Sequence, residues 1–129
     1  MKIALESTAS TLVISIEGEI SAFNFIHSEH HDGFGTLNDF FRKVFASEVK
    51  GKGVHTIIFD LQEVPYIESS GINAMLNIYR DMKSVGGRVV FASLHETVQR
   101  IFNILKIDSV FDVYPNVEEA LAAETSGAS

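Results

Sequence analysis

The chain has 129 residues, of which 46% are hydrophobic, and a formal charge of −7 from 17 acidic and 10 basic side chains. This length can bury one substantial core, and we expect a single domain over residues 1–124 with a flexible tail over residues 125–129. No apolar run is long enough to cross a bilayer, the N-terminus lacks the apolar segment of a secretory signal, and there is no cysteine. We therefore expect a cytoplasmic protein without membrane insertion, disulfides or cysteine-based metal sites. The negative charge disfavours binding to nucleic acid.

The first half of the chain predicts an antiparallel pair of strands followed by one amphipathic helix. Apolar and polar residues alternate over residues 12–21, which indicates a strand with one buried face, and a short strand near residues 3–5 precedes it. Residues 22–35 show neither helical nor strand periodicity, and we expect a long loop there. Apolar residues then recur at helical spacing over residues 36–49, and the glycines that follow end this helix.

The second half of the chain predicts strands that alternate with helices. Residues 54–61 are almost continuously apolar, which is typical of a strand covered on both faces. The later predicted elements are a helix from Ser69 or Ser70 to residue 85, a strand over 88–92, a helix from a Ser93–Glu96 capping box to residue 105, a strand over 110–114 and a helix capped by Asn116 with Glu119. This order predicts an α/β fold with a mixed four- or five-stranded sheet and about four helices, packed mainly on one face.

The most informative stretch connects the central apolar strand to the next helix. Asp60-Leu61 lies at the end of the strand, and Glu68-Ser69-Ser70-Gly71 opens the helix. Sheets of this class usually place their functional sites at this edge. A serine at a helix start can cap free backbone amides, and the same amides favour a bound phosphate. From the pattern alone, the serines are either simple caps or functional hydroxyls, and a glycine here allows another backbone to approach closely.

This stretch resembles the signature of STAS (sulphate transporter and anti-sigma factor antagonist) domains. In that family Asp-Leu at a strand end is followed by a short loop and by Asp-Ser-Ser-Gly or Asp-Ser-Thr-Gly at a helix start. The segments at 87–91, 98–105 and 107–111 also follow the family's pattern, so the similarity covers about residues 11–122.

The resemblance implies an anti-sigma factor antagonist that is not an enzyme and needs no cofactor. Such a protein binds an anti-sigma factor that is also a serine kinase, and phosphorylation of the first serine of the motif, here Ser69, releases it. The resemblance further implies a partner-binding surface and a monomer or weak dimer. The residues of that surface are Glu68, Ser69, Ser70, Gly71 and Asn73.

Two departures from the signature leave an alternative function open. Glu68 replaces the usual aspartate, and Ser21 stands where many phosphorylated antagonists carry an acidic residue. The alternative is a STAS scaffold, or a subunit of a stressosome or lipid-transport complex, that is not phosphorylated. A serine hydrolase is disfavoured because Ile67 occupies the first glycine position of Gly-x-Ser-x-Gly, and an NTPase is disfavoured because the chain has no glycine-rich phosphate loop with lysine.

The predicted loop contains side chains that are able to bind a transition metal. These are His27, His30, His31 and Asp32. The loop offers no predicted rigidity that would hold them around a metal ion, so we expect a surface loop without a physiological metal site.

Overall fold

A computed structural model describes residues 2–20, 26–27, 32–33 and 37–125, with the backbone alone at 26–27, 32–33 and 125. Seven strands and four α-helices lie within these ranges. They are β1 (Lys2–Thr8), β2 (Thr11–Glu17), β3 (Ile26–His27), β4 (Asp32–Gly33), α1 (Leu37–Val44), β5 (Thr56–Glu63), α2 (Ser69–Ser84), β6 (Arg88–Ala92), α3 (Glu96–Ile104), β7 (Asp112–Tyr114) and α4 (Val117–Thr125). A π-helix over Phe45–Lys50 continues α1, and a 3-10 turn over Ile107–Ser109 precedes β7.

The strands form one mixed sheet in the order β4-β3-β1-β2-β5-β6-β7. β1 and β2 are an antiparallel hairpin, whereas β2, β5, β6 and β7 run parallel to one another. The prediction of a mixed sheet of four or five strands is confirmed, with β1, β2, β5, β6 and β7 as the five main strands. β3 and β4, of two residues each, extend the sheet beside β1 and lie within the segment predicted as a loop.

The helices cover the two faces of the sheet unequally, as predicted. α1, α2 and α3 pack on one face over the large core, which includes Phe59 of β5. α4 packs on the other face, where Ala120 meets a small cluster that includes Ile58 of the same strand. Because successive residues of a strand point to opposite faces, the continuous apolar run of β5 is explained by burial on both sides.

An ionic contact fastens α4 to the sheet. The Arg88 guanidinium donates to Glu124 Oε1 at 2.7 Å and to Asp112 Oδ2 at 2.5 Å, and Thr56 Oγ1 donates to Glu124 Oε2 at 3.3 Å. Desolvation by burial lowers the pKa of Arg88, but the hydrogen bond to Asp112 and the charge of Glu124 outweigh this effect and raise the pKa above its ordinary value. The Arg88 guanidinium therefore keeps its positive charge in neutral solution.

The structure confirms the predicted cap of α4 and corrects the predicted starts of α3 and β7. The cap of α4 is confirmed, because the Glu119 amide donates to Asn116 Oδ1 at 2.8 Å. The capping box at Ser93 is wrong, since that residue has a φ of 63° and its amide donates to Tyr114 on β7, so α3 begins only at Glu96. This tertiary hydrogen bond takes precedence over the local capping pattern. Likewise β7 begins at Asp112 rather than at Val110, because a 3-10 turn uses the preceding residues.

Lys106 lies just past the C-terminus of α3 and has a left-handed backbone conformation, with a φ of 59°. Its amide donates to the Asn103 carbonyl at 3.1 Å, an arrangement in which helices usually place glycine. We expect Lys106→Gly to raise the free energy of unfolding by about 0.5 kcal/mol, because relief of backbone strain exceeds the added chain entropy. Urea denaturation would measure the change. The matched control Lys43→Gly, within α1, should instead lower it by about 1 kcal/mol, and destabilisation by both variants would contradict the prediction.

Candidate functional site

The loop between β5 and α2 is held against the end of β2 by backbone hydrogen bonds. The Gly18 amide donates to the Glu63 carbonyl at 2.9 Å, and the Ile20 amide donates to the Tyr66 carbonyl at 3.0 Å. The Glu68 amide in turn donates to the Ile20 carbonyl at 2.9 Å. These bonds extend the parallel pairing of β2 and β5 up to the first residue of α2, and they therefore fix the position of the helix start.

Ser69 is the first residue of α2 and Glu68 occupies the N-cap position, without a side-chain capping bond. The Glu68 carbonyl accepts the amides of Gly71 and Ile72 at 2.9 and 3.0 Å. The interpretation of either serine as the N-cap is therefore wrong, because the cap position precedes both. α2 begins at Ser69, within the predicted choice of Ser69 or Ser70.

The two serines of the motif differ in exposure and in their contacts. Ser69 is exposed, and its hydroxyl makes no hydrogen bond within the described part of the chain. Ser70 is half-buried and interacts with another residue. The hydroxyl that is accessible and available at the helix start is thus that of Ser69.

Gly71 is buried against the end of β2. A Cβ atom at this position would lie 2.5 Å from Ile20 Cγ2, 3.1 Å from the Ile20 carbonyl oxygen and 3.3 Å from Ile67 Cγ1. The backbone that approaches this glycine therefore belongs to the same domain. A direct contact of Gly71 with a partner stays a prediction, and the structure gives the residue a packing role.

Asn73 lies four positions after Ser69 on α2, and both side chains are exposed. Residues four apart lie on one face of a helix, so the two share a surface. The exposed Glu68 adjoins this surface at the helix start. Of the five residues predicted for partner binding, the structure therefore places Glu68, Ser69 and Asn73 together at the surface.

Three further exposed residues lie at the strand ends and in the loop that lead to this surface, and no sequence pattern singled them out. They are Glu17, Glu63 and Tyr66. Glu17 and Glu63 end neighbouring strands and are register partners in the β2–β5 ladder. Tyr66 lies in the loop before α2 with 44% of its surface exposed. The two glutamates are far apart in the sequence, and only the register of the sheet shows that they are partners.

The described residues include no constellation suited to serine catalysis at Ser69. His95 Nε2 lies 2.6 Å from the Gln62 carbonyl oxygen, which can only accept, so this nitrogen is the donor. No histidine of the described chain forms a hydrogen bond with Ser69 that could activate its hydroxyl.

The loop histidines lie largely outside the described residues. This holds for His30 and His31, while only the backbone is described at His27 and Asp32. Among the residues that are described, no three His, Asp or Glu side chains form a group able to hold a metal ion. The expectation for the loop itself stays a prediction.

Within the residues that the structure describes, no helix combines the length and apolarity needed to span a membrane.

Known proteins share the fold and the sequence pattern of this chain. A candidate anti-sigma factor antagonist of Thermotoga neapolitana is 32% identical over 81 residues, which are 63% of this chain and 72% of that protein. The anti-sigma F factor antagonist of Paenibacillus polymyxa is 20% identical over 121 residues, 94% of this chain and 92% of that protein. The structure of the Bacillus cell fate determinant SpoIIAA in its phosphorylated form matches with a TM-score of 0.66 at 23% identity, covering 93% of this chain and 96% of that one. This structural likeness establishes a common fold.

The family model described as STAS domain matches residues 33–120. The match contains β5, α2, β6 and α3, and with them the motif from Asp60 to Gly71. Since it covers more than half of the sequence, the chain belongs to the STAS domain family.

Proposed function

We propose that this chain is an anti-sigma factor antagonist that binds an anti-sigma factor with serine kinase activity and is released when Ser69 is phosphorylated. The observation that carries the proposal is the exposed Ser69 hydroxyl, which has no hydrogen bond to the described chain and lies at the start of α2. Relatives that bear the name of anti-sigma factor antagonist support it. The chain then acts in the cytoplasm as a binding module rather than as an enzyme.

The position of Ser69 suits a switch based on charge. A phosphate adds about −1.5 to −2 charges at neutral pH, and the partial positive charge of a helix N-terminus tolerates such a group within the free domain. In a complex, the same charge would lie in a desolvated contact beside Glu68. Phosphorylation would therefore weaken binding without unfolding the domain.

Kinase treatment tests the proposal directly. Each anti-sigma factor of the host genome that carries a kinase domain would be purified and incubated with the chain and ATP, followed by intact mass and peptide analysis. We expect one phosphate on the wild type and on Ser70→Ala, and none on Ser69→Ala. Because the Ser69 side chain caps nothing, its substitution should change stability by less than about 0.5 kcal/mol.

Binding measurements test whether a negative charge at Ser69 also weakens the complex with the kinase. We expect Ser69→Asp to bind the kinase roughly tenfold more weakly than the wild type, because it places a permanent charge in the contact. Ser69→Ala should bind like the unmodified wild type. Phosphate on Ser70, or on no serine, would contradict the switch and favour the scaffold or subunit that is not phosphorylated.

A further inference from the structure

Two glutamates are register partners at the end of the central strand pair, just past a shift in its register. Glu17 and Glu63 are Cα partners in the parallel ladder of β2 and β5, and both are exposed. Like charges directly opposite on neighbouring strands destabilise a sheet. This pair therefore works against the fold.

The neighbouring side chains do not neutralise the pair. Lys2 is the register partner of Glu17 on the other side, and it lines a cavity of about 110 Å³ together with Glu17, Glu63 and Asp60. The ion pairs within the described ranges involve other carboxylates. Among the described residues that line this cavity, one cation thus accompanies three carboxylates.

A short backbone segment joins this end of the sheet to the helix start. The chain runs from Glu63 through Tyr66 to Glu68, and the hydrogen bonds of Gly18 and Ile20 hold this segment against the end of β2. Tyr66 is a large, partly apolar side chain with 44% of its surface exposed. Exposed tyrosines are frequent anchors in protein interfaces, so the surface combines an aromatic contact with negative charge.

We propose that the partner of this chain presents a basic surface, rich in lysine or arginine, to an acidic strip that consists of Glu17, Glu63 and Glu68, together with the exposed Tyr66, which lies between Glu63 and Glu68 in the chain. The inference rests on the proposed function and names the chemistry of the partner that the Ser69 surface accepts. The unfavourable Glu17–Glu63 pair becomes favourable when cations of the partner lie over it.

The experiment measures the affinity for the anti-sigma factor that binds the unmodified wild type, at about 50 and about 300 mM salt. We expect the wild-type Kd to rise about tenfold between these concentrations. The double variant Glu17→Gln/Glu63→Gln should bind about tenfold more weakly at low salt and lose most of the salt dependence. Tyr66→Ala should weaken binding at both salt concentrations, and Tyr66→Phe much less.

The control Glu118→Gln removes one charge from the exposed start of α4, on another part of the molecule, and should leave the Kd within about twofold. In the free chain, Glu63→Gln should raise the urea midpoint, which shows that weaker binding does not arise from unfolding. Wild-type binding that is insensitive to salt and to the double variant would overturn this inference and leave the proposed function intact. Failure of every anti-sigma factor to bind would overturn the proposed function, and this inference with it.

Discussion

Replacing Phe91 by alanine is expected to lower the free energy of unfolding by about 3 to 5 kcal/mol. The Phe91 ring is fully buried in β6 and is in contact with three other aromatic rings. Its centroid lies 5.2 Å from that of Phe59, 5.2 Å from that of Phe102 and 4.6 Å from that of Phe111. The substitution would open a cavity and remove all three ring contacts at once, which explains the size of the loss.

Urea denaturation of the free chain measures this loss. Single domains are stable by about 5 to 15 kcal/mol, so Phe91→Ala should be partly unfolded at low denaturant concentration. The control Ile104→Ala removes a side chain at a position that is 71% exposed, and it should change stability by less than about 0.5 kcal/mol. A loss below about 1.5 kcal/mol for Phe91→Ala would indicate that the neighbouring rings fill the cavity, contrary to the prediction.

Gly71→Ala is expected to destabilise the domain by about 1 to 3 kcal/mol, although alanine favours a helix over glycine by about 1 kcal/mol. The added Cβ would lie 2.5 Å from Ile20 Cγ2 and 3.1 Å from the Ile20 carbonyl oxygen. That carbonyl accepts the Glu68 amide, so any shift of Ile20 also disturbs the start of α2. Thermal and urea denaturation would measure the change, together with kinase binding.

A compensating substitution identifies the cause of this loss. Ile20→Leu removes the Cγ2 branch, so the double variant Gly71→Ala/Ile20→Leu should recover part of the stability lost in the single variant. Asn73→Ala, at an exposed position of the same helix, is the matched control and should be nearly neutral. Stabilisation by Gly71→Ala alone would show that helix propensity outweighs the contact with Ile20.

The sequence by itself determined the type and order of the main elements and the family of the chain, and it indicated where a candidate site lies. The continuous apolar run of β5 and the helical spacing in α1 each follow from which side chains must be buried, and burial is encoded in local periodicity. The single buried face predicted for β2 is wrong, because Val13 is also buried, with Ile58, on the opposite face of the sheet. The motif from Asp60 to Gly71 carries the resemblance to the family that the comparisons establish. These features depend on residues that are close together in the chain.

Only the tertiary structure decided the roles of individual residues at that edge. The half-buried environment of Ser70, the burial of Gly71 by Ile20 and the opposition of Glu17 and Glu63 all arise between segments that are distant in the sequence. Periodicity shows which side of a strand is buried, but it contains no register, and the register decides which side chains meet. For the same physical reason Ser93 fails as a helix cap, because its amide is used by β7, which follows it by about twenty residues.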